Sequence, residues 1–128
     1  MSPLLGSSAV PRVVIVDADR RVQASLTDLL RLTDRVDVVG GASDVRTALE
    51  LVEREVPDAV LVDARLPDVD AGEAFISGMR RAWPSIRVVR TGWSDVEGHA
   101  AMDNSSPRFV SKAGSPEEFV AAIVDACG

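Results

Sequence analysis

Hydrophobic and polar residues follow one another along the chain in a pattern that predicts five short strands separated by helices. Continuous apolar runs rich in β-branched residues are typical of strands buried on both faces of a sheet. Such runs predict strands at Val13–Val16, Val36–Val39, Ala59–Val62, Ile86–Val89 and Phe109–Ser111. Between them, apolar residues recur at helical spacing. The alternation of strand and helix indicates a single parallel sheet with helices on both faces.

The helical segments carry recognisable start and stop signals. The first is predicted over Arg20–Leu32; the second is predicted to be capped by Ser43 and ended by Pro57, the third is ended by Pro84, and the last begins at Ser115 with a capping box closed by Glu118. The polar segment 93–107 favours a fourth helix only weakly. The residues predicted to face the sheet are Val22, Leu26, Leu29, Leu30, Ala48, Leu49, Val52, Val56, Ala74, Phe75, Met79, Trp83, Phe119, Val120, Ile123 and Val124.

Composition limits the class of protein. A chain of 128 residues with 46% hydrophobic content predicts one domain with its own core, here residues 12–128 behind a flexible tail at 1–11. The net charge of −6 argues against direct binding to nucleic acid or to a membrane surface. No apolar run reaches the roughly 20 residues of a membrane span, and the N-terminus lacks signal-peptide features, so a cytoplasmic location is predicted. Single Cys127 and His99 exclude an internal disulfide and common zinc sites.

Polar residues follow four of the predicted strands. Asp17 and Asp19 come after the first strand, Asp63 after the third, Thr91 after the fourth and Lys112 after the fifth. Because ligands of such sheets bind at the carboxyl ends of the strands, these residues are candidates for one site. Each alone has a local interpretation: the aspartates suit turns or helix caps, Thr91 a turn and Lys112 the surface. Their grouping favours a shared chemical role.

Four segments in this order resemble the receiver domain of bacterial two-component response regulators: VVIVDAD, PDAVLVDARLPDVDAG, IRVVRTG and FVSKAGSPEE. The resemblance covers about residues 12–126. It implies a flavodoxin-like, doubly wound sheet with strand order 2-1-3-4-5. It also implies phosphorelay signalling, with a histidine kinase or other phosphodonor upstream. Downstream it implies a protein partner or an output domain outside this sequence, with a homodimer as a further option.

The resemblance also implies a role for each candidate residue. Asp63 matches the aspartate that accepts the phosphoryl group. Asp17, Asp63 and the backbone carbonyl of Arg65 match the ligands of Mg²⁺, which offsets repulsion between the carboxylate and the phosphoryl group. The matches to phosphoryl-binding and switch positions are Thr91, Gly92, Phe109 and Lys112, with Phe109 changing rotamer together with Thr91.

The sequence departs from the family pattern at the metal site. Ala18 stands where a second adjacent acid usually contacts the metal, and Asp19 lies one residue too late unless the loop is irregular. Weaker Mg²⁺ binding and slower phosphorylation are expected. Ala113 and Ala71 replace a frequent proline and a frequent glycine. We hypothesise that the large Arg65 and Trp93 side chains shield the acyl phosphate from water.

Two alternative functions remain at this point. Because Ala18 removes an acid, the same fold could serve as a pseudo-receiver, an interaction module that works without phosphorylation. Asp17 and Asp19 also have the Asp-x-Asp spacing of haloacid-dehalogenase-type phosphatases. However, Arg21 stands where that family has threonine or valine, and 128 residues leave little room for its other parts. The sequence therefore predicts a signalling domain rather than an enzyme.

Overall fold

The computed structural model describes residues 10–63, 65, 69–93 and 108–127. Within these residues there are five strands and four helices. The strands are β1 (Arg12–Val16), β2 (Asp37–Ala42), β3 (Ala59–Asp63), β4 (Arg87–Gly92) and β5 (Arg108–Ser111). The helices are α1 (Arg20–Arg31), α2 (Val45–Glu55), α3 (Val69–Ala82) and α4 (Pro116–Cys127). None of the helices in this described part is long and apolar enough to cross a membrane.

All strand pairs are parallel, and the strands lie in the order β2-β1-β3-β4-β5. The predicted fold class and strand order are thereby confirmed. The register sets Asp63 of β3 beside Thr91 of β4, and Thr91 beside Val110 of β5. The strand ends that carry the candidate residues therefore lie along one edge of the sheet.

Two apolar layers hold the helices against the sheet. Because successive strand residues point to opposite faces, Val14 and Val16 belong to one layer while Val13 and Ile15 belong to the other. The first layer packs under α2 and α3 through Ala48, Leu51, Val52, Phe75, Ile76 and Met79. The second packs under α1 and α4 through Leu26, Leu30, Phe119, Val120 and Ile123. Helices therefore cover both faces, as predicted.

Strand β2 extends beyond the predicted Val36–Val39 and includes the glycine pair at 40–41. Both glycines lie inside the strand, which runs on to Ala42 after a register shift opposite Val13 and Val14. A Cβ on Gly40 would lie 2.8 Å from Leu51 Cδ2, and a Cβ on Gly41 would lie 2.6 Å from Gln23 Oε1. The glycines are therefore explained by close packing of α2 and α1 against the strand, not by a turn.

Helix α2 begins and ends differently from its prediction. Its N-cap is Asp44, whose carboxylate accepts a hydrogen bond from the Thr47 N–H, and not Ser43. The helix ends when Val56 enters the left-handed region at φ 43°, one residue before Pro57. Val56 is therefore exposed, and Leu49 is also largely exposed while Leu51 is buried in its place.

The other helices match their predicted inner faces with three exceptions. Ala74 is exposed, and Ile76 occupies the buried position on α3. Trp83 is only partly buried but packs against the core, and Val124 on α4 is largely exposed. Beyond Trp93, the predicted weak helix in 93–107 lies outside the described residues. Residues 1–9 of the predicted tail also lie outside them.

Candidate functional site

One ammonium lies between two carboxylates at the carboxyl edge of the sheet. Lys112 Nζ lies 2.6 Å from Asp17 Oδ2, and it donates a hydrogen bond of 2.9 Å to Asp63 Oδ2. The side chains of Asp17 and Lys112 are 2% and 4% exposed, whereas that of Asp63 is 16% exposed. Since charges buried without a partner are strongly unfavourable, the three groups depend on one another. Asp63 is the member of the trio that solvent reaches.

Asp17 is held by hydrogen bonds on its backbone as well as on its side chain. Its N–H donates to the Ala42 carbonyl at 3.0 Å, and its own carbonyl accepts from Gln23 Nε2 at 2.7 Å. Its Oδ1 accepts from the Asp19 N–H at 2.8 Å. Gln23 is not among the predicted site residues, although an amide between the inward-facing Val22 and Leu26 is a usable sequence signal.

Asp19 caps a helix in this structure. Its Oδ1 accepts a hydrogen bond of 2.8 Å from the Arg21 N–H at the start of α1, which is the local role considered for it. Ala18 between the two acids is exposed. Among the described residues, no group of three or more His, Cys, Asp or Glu side chains comes close enough to hold a metal ion. The carboxylates at the site are therefore those of Asp17 and Asp63.

Asp63 ends β3 with both carboxylate oxygens engaged. Oδ1 accepts from the Arg65 N–H at 3.0 Å, and Oδ2 accepts from Lys112. The Arg65 residue as a whole is exposed. The backbone bond from Arg65 fixes the orientation of the carboxylate at the mouth of the sheet, while the proposed role of the Arg65 carbonyl stays a prediction.

The pKa of Lys112 is raised by its two partners, and an aromatic ring lies over its ammonium group. Burial lowers the pKa of Lys112, but hydrogen bonding and attraction to Asp17 and Asp63 outweigh it, so the pKa lies above its ordinary value. Its backbone N–H donates to the Gly92 carbonyl at 2.7 Å. The ammonium lies 5.4 Å from the centre of the Trp93 ring, within cation–π range, although Trp93 is 62% exposed.

The remaining predicted residues lie close by in the sheet. Thr91 is buried at the end of β4, directly beside Asp63 in the register. Gly92 is buried and pairs with Ser111, and Phe109 is partly buried and pairs with Arg90. The structure therefore brings Thr91 and Gly92 to the same edge as Asp63. A coupled rotamer change of Thr91 and Phe109 stays a prediction.

A second ion pair, which was not predicted from the sequence, lies next to the site. Arg90 is buried in β4, immediately before Thr91, and both terminal nitrogens of its guanidinium donate to the Glu73 carboxylate on α3. The available signal was a charged residue placed directly after the apolar pair Val88–Val89 at a strand end, since such charges are rarely buried unpaired. The pair ties α3 to the strand that carries Thr91.

The sequence of the chain matches a known protein family. The model of the response regulator receiver domain matches residues 13–124. The chain belongs to the response regulator receiver domain family. This receiver domain is 31% identical, over 117 residues, to the hydrogenase transcriptional regulatory protein HoxA of Bradyrhizobium diazoefficiens. That alignment covers 89% of this chain and 23% of HoxA.

Solved receiver domains share the fold. The signal receiver domain of the response regulator NarL from Mycobacterium tuberculosis superposes with a TM-score of 0.74 at 28% identity, covering 92% of this chain and 96% of that one. RcsB from Salmonella enterica serovar Typhimurium gives a TM-score of 0.76 at 20% identity, over 92% and 99% of the two chains, and supports the fold alone. The alignment with full-length NarL covers 53% of that protein. This receiver domain therefore spans about half or less of the length of the curated relatives named here.

The family assignment confirms the resemblance drawn from the four sequence segments. It places the chain with receiver domains of two-component systems and not with the haloacid-dehalogenase-type phosphatases. The relatives HoxA and NarL are named as transcriptional regulators.

Proposed function

We propose that this receiver domain accepts a phosphoryl group on Asp63 and thereby switches a protein-interaction surface. The observation that carries the proposal is the environment of the Asp63 carboxylate. It is partly exposed at the end of β3, oriented by the Arg65 N–H and contacted by the Lys112 ammonium. An oriented carboxylate beside a fixed cation suits nucleophilic attack on an anionic phosphoryl group.

The proposed transfer is a direct displacement at phosphorus. One Asp63 oxygen forms the new O–P bond while the bond between phosphorus and the donor breaks. The bonding electron pair leaves with the donor, a histidine nitrogen of a kinase or the acetate of acetyl phosphate. Lys112 stabilises negative charge on the phosphoryl oxygens, and the Thr91 hydroxyl at the neighbouring strand end is proposed to bind one of them.

Receiver domains generally use Mg²⁺ at this position, and the residues present fit it. Mg²⁺ is commonly bound through one or two carboxylates together with water, and Asp17 and Asp63 supply two. When bound, the ion would supply positive charge to the phosphoryl oxygens. Lys112 already contacts one oxygen of each carboxylate, and Ala18 offers none. We therefore propose Asp17, Asp63 and the Arg65 carbonyl as ligands of a weakly held ion.

The proposed switch begins at Lys112 and Thr91. A phosphoryl group adds on the order of −1.5 to −2 charges beside the trio, so the Lys112 ammonium is drawn toward it. Because Lys112 also contacts Trp93, this movement would reach the segment that follows β4. The proposed partners are a histidine kinase or other phosphodonor, and a downstream protein or output domain. Homodimerisation and a cytoplasmic location remain predictions.

One observation favours the pseudo-receiver as a second candidate function. Lys112 already neutralises much of the charge of Asp17 and Asp63, Asp19 is engaged at a helix cap, and Ala18 supplies no carboxylate. A site closed in this way would need neither metal nor phosphoryl group to be stable. The domain would then act through its surfaces alone.

Intact mass spectrometry after incubation with acetyl phosphate and MgCl₂ separates the two functions. We expect one phosphoryl adduct on the wild-type protein and none on Asp63→Asn. Asp19→Asn is the matched control, since it changes a neighbouring acid that keeps its capping role, and it should still be labelled. A folded wild-type protein with neither an adduct nor Mg²⁺ binding would reject phosphorylation and support the pseudo-receiver.

A further inference from the structure

We propose that Gln23 is a positioning residue for Asp17, and that the missing side chain of Gly41 is what leaves Gln23 in place. This inference rests on the proposed function, because Asp17 is taken there to assist phosphoryl transfer to Asp63. Gln23 touches none of the reacting groups itself. It is proposed to act through the backbone of Asp17.

The Gln23 amide joins three elements at the point where β1 ends. Its Nε2 donates to the Asp17 carbonyl at 2.7 Å and to Ser43 Oγ at 2.8 Å. The side chain thus reaches from α1 to the end of β1 and to the loop between β2 and α2. With the Asp17 N–H bonded to Ala42, both backbone polar groups of Asp17 are fixed.

The position of Asp17 is especially important in this chain, because no second acid beside it could replace its carboxylate. Its Oδ1 is held by the Asp19 N–H and its Oδ2 contacts Lys112, so the direction of the side chain follows from the backbone turn after β1. Ala18 has no carboxylate, and the Asp19 carboxylate caps α1. A displaced Asp17 would therefore have no neighbour to take over its role.

Gly41 supplies the second part of the inference. A Cβ at this position would lie 2.6 Å from Gln23 Oε1, a distance that carbon atoms do not tolerate, while the Ile15 carbonyl would be 3.5 Å away. The obstructed atom is the end of a flexible side chain, and the glycine has no positive φ. Alanine would therefore displace the Gln23 amide and leave the strand backbone intact.

Gly40 offers a matched control on the same strand. A Cβ there would meet the Leu51 side chain, with Cδ2 at 2.8 Å, and would not meet Gln23. Gly40→Ala and Gly41→Ala therefore make the same chemical change in adjacent residues. Only Gly41→Ala should disturb the hydrogen bond from Gln23 to the Asp17 carbonyl.

The experiment compares wild type, Gly41→Ala, Gln23→Ala, the double variant and Gly40→Ala. We measure the MgCl₂ concentration that gives half-maximal phosphorylation by acetyl phosphate, and hydrogen exchange of the Asp17 amide corrected for global stability. Losing the Gln23 bond should raise the half-saturating MgCl₂ and the exchange rate roughly three- to tenfold. The rate at saturating MgCl₂ should stay within about twofold, which a general loss of structure would not produce.

The double variant gives the decisive comparison. If Gly41→Ala acts through Gln23, it should add nothing once Gln23 is alanine. Additive effects, or an equal effect from Gly40→Ala, would overturn the proposal. If Gly41→Ala does not fold, the proposed role of Gly41 is wrong, because displacing only the Gln23 amide would leave the strand intact. Gln23→Met, which keeps the length but cannot donate, then tests the positioning role of Gln23 by itself.

Failure of the proposed function gives a different result. In that case wild type would take no phosphoryl group, yet Asp17 exchange would still be faster in Gln23→Ala if Gln23 positions Asp17. Unchanged exchange in Gln23→Ala rejects the positioning role whether or not Asp63 is phosphorylated.

Discussion

At the scale of single residues, the charge of the site is concentrated in one lysine. Lys112 is the only lysine in the sequence, and the chain contains no tyrosine. The buried carboxylate of Asp17 and the partly exposed carboxylate of Asp63 both contact its ammonium, and these contacts explain why its pKa is raised despite burial. With no other lysine and no tyrosine in the sequence, Lys112 is the side chain whose titration should be seen above its ordinary pKa of 10.5.

We therefore predict that the free energy of unfolding falls at alkaline pH. The folded-state pKa of Lys112 lies above its ordinary value of 10.5, so its contribution is complete below that pH and is lost as the pH rises through the folded value. Urea unfolding between pH 8 and pH 12 measures this loss. Lys112→Met should be less stable at neutral pH, because two carboxylates lose their partner, but should lack the alkaline loss. An equal alkaline loss in both proteins would contradict the assignment.

Trp93 gives a second prediction at this scale. Its exposed ring lies over the Lys112 ammonium and follows Thr91 by two residues. If it shields the acyl phosphate from water, Trp93→Ala should hydrolyse phospho-Asp63 at least about twofold faster. The decay of the phosphoryl adduct followed by mass gives the rate. Trp83→Ala, one residue beyond the end of α3, is the control, and equal decay of wild type and Trp93→Ala would refute the shielding hypothesis.

At the scale of elements, the sequence predicted which elements exist and in what order, but not all of their ends. Buried strands are visible as apolar runs, so β1 and β3 were found to within a residue. The extension of β2 through Gly40 and Gly41 depends on packing by Leu51 and Gln23, which no local pattern encodes.

The residues of the candidate site could also be predicted from the sequence only in part. Asp17, Asp63 and Lys112 could be predicted because strand ends of a parallel sheet share an edge. The hydrogen bonds of Gln23 and Glu73 could not, because they depend on how the helices pack against the strand ends.

Gly78 provides a prediction for α3. It lies inside the helix, and a Cβ there would meet nothing within 4 Å. Because glycine is unfavourable in a helix interior, Gly78→Ala should raise the free energy of unfolding by roughly 0.5–1 kcal/mol. Chemical denaturation measures the gain. Ser77→Ala on the adjacent exposed position is the control, with a smaller expected gain, and a loss of stability in Gly78→Ala would contradict the open space at this site.

At the scale of the whole molecule, the sheet brings together charges that the chain keeps far apart. Asp17, Asp63 and Lys112 are separated by 46 and 49 residues along the sequence. The Arg90–Glu73 pair binds α3 to β4 beside them. Folding and the charge state of this edge are therefore linked, and a cation that binds only the folded protein should stabilise it.

Ala18→Asp tests this link in both directions. Restoring a second acid adds a negative charge beside Asp17, with Lys112 already shared between two carboxylates, so the variant should be less stable than wild type in EDTA. In saturating MgCl₂ the difference in stability between Ala18→Asp and wild type should become smaller or change sign. The reason is that Mg²⁺ binding about tenfold tighter in the variant adds about 1.4 kcal/mol to its free energy of unfolding. Thermal unfolding with and without MgCl₂ measures both effects.

Ala18→Asn is the control, because asparagine has the same shape as aspartate but no charge, and it should show neither effect. If Ala18→Asp and Ala18→Asn respond equally to MgCl₂, the carboxylate at position 18 does not reach the ion, and the predicted gain in metal affinity from a second acid is wrong.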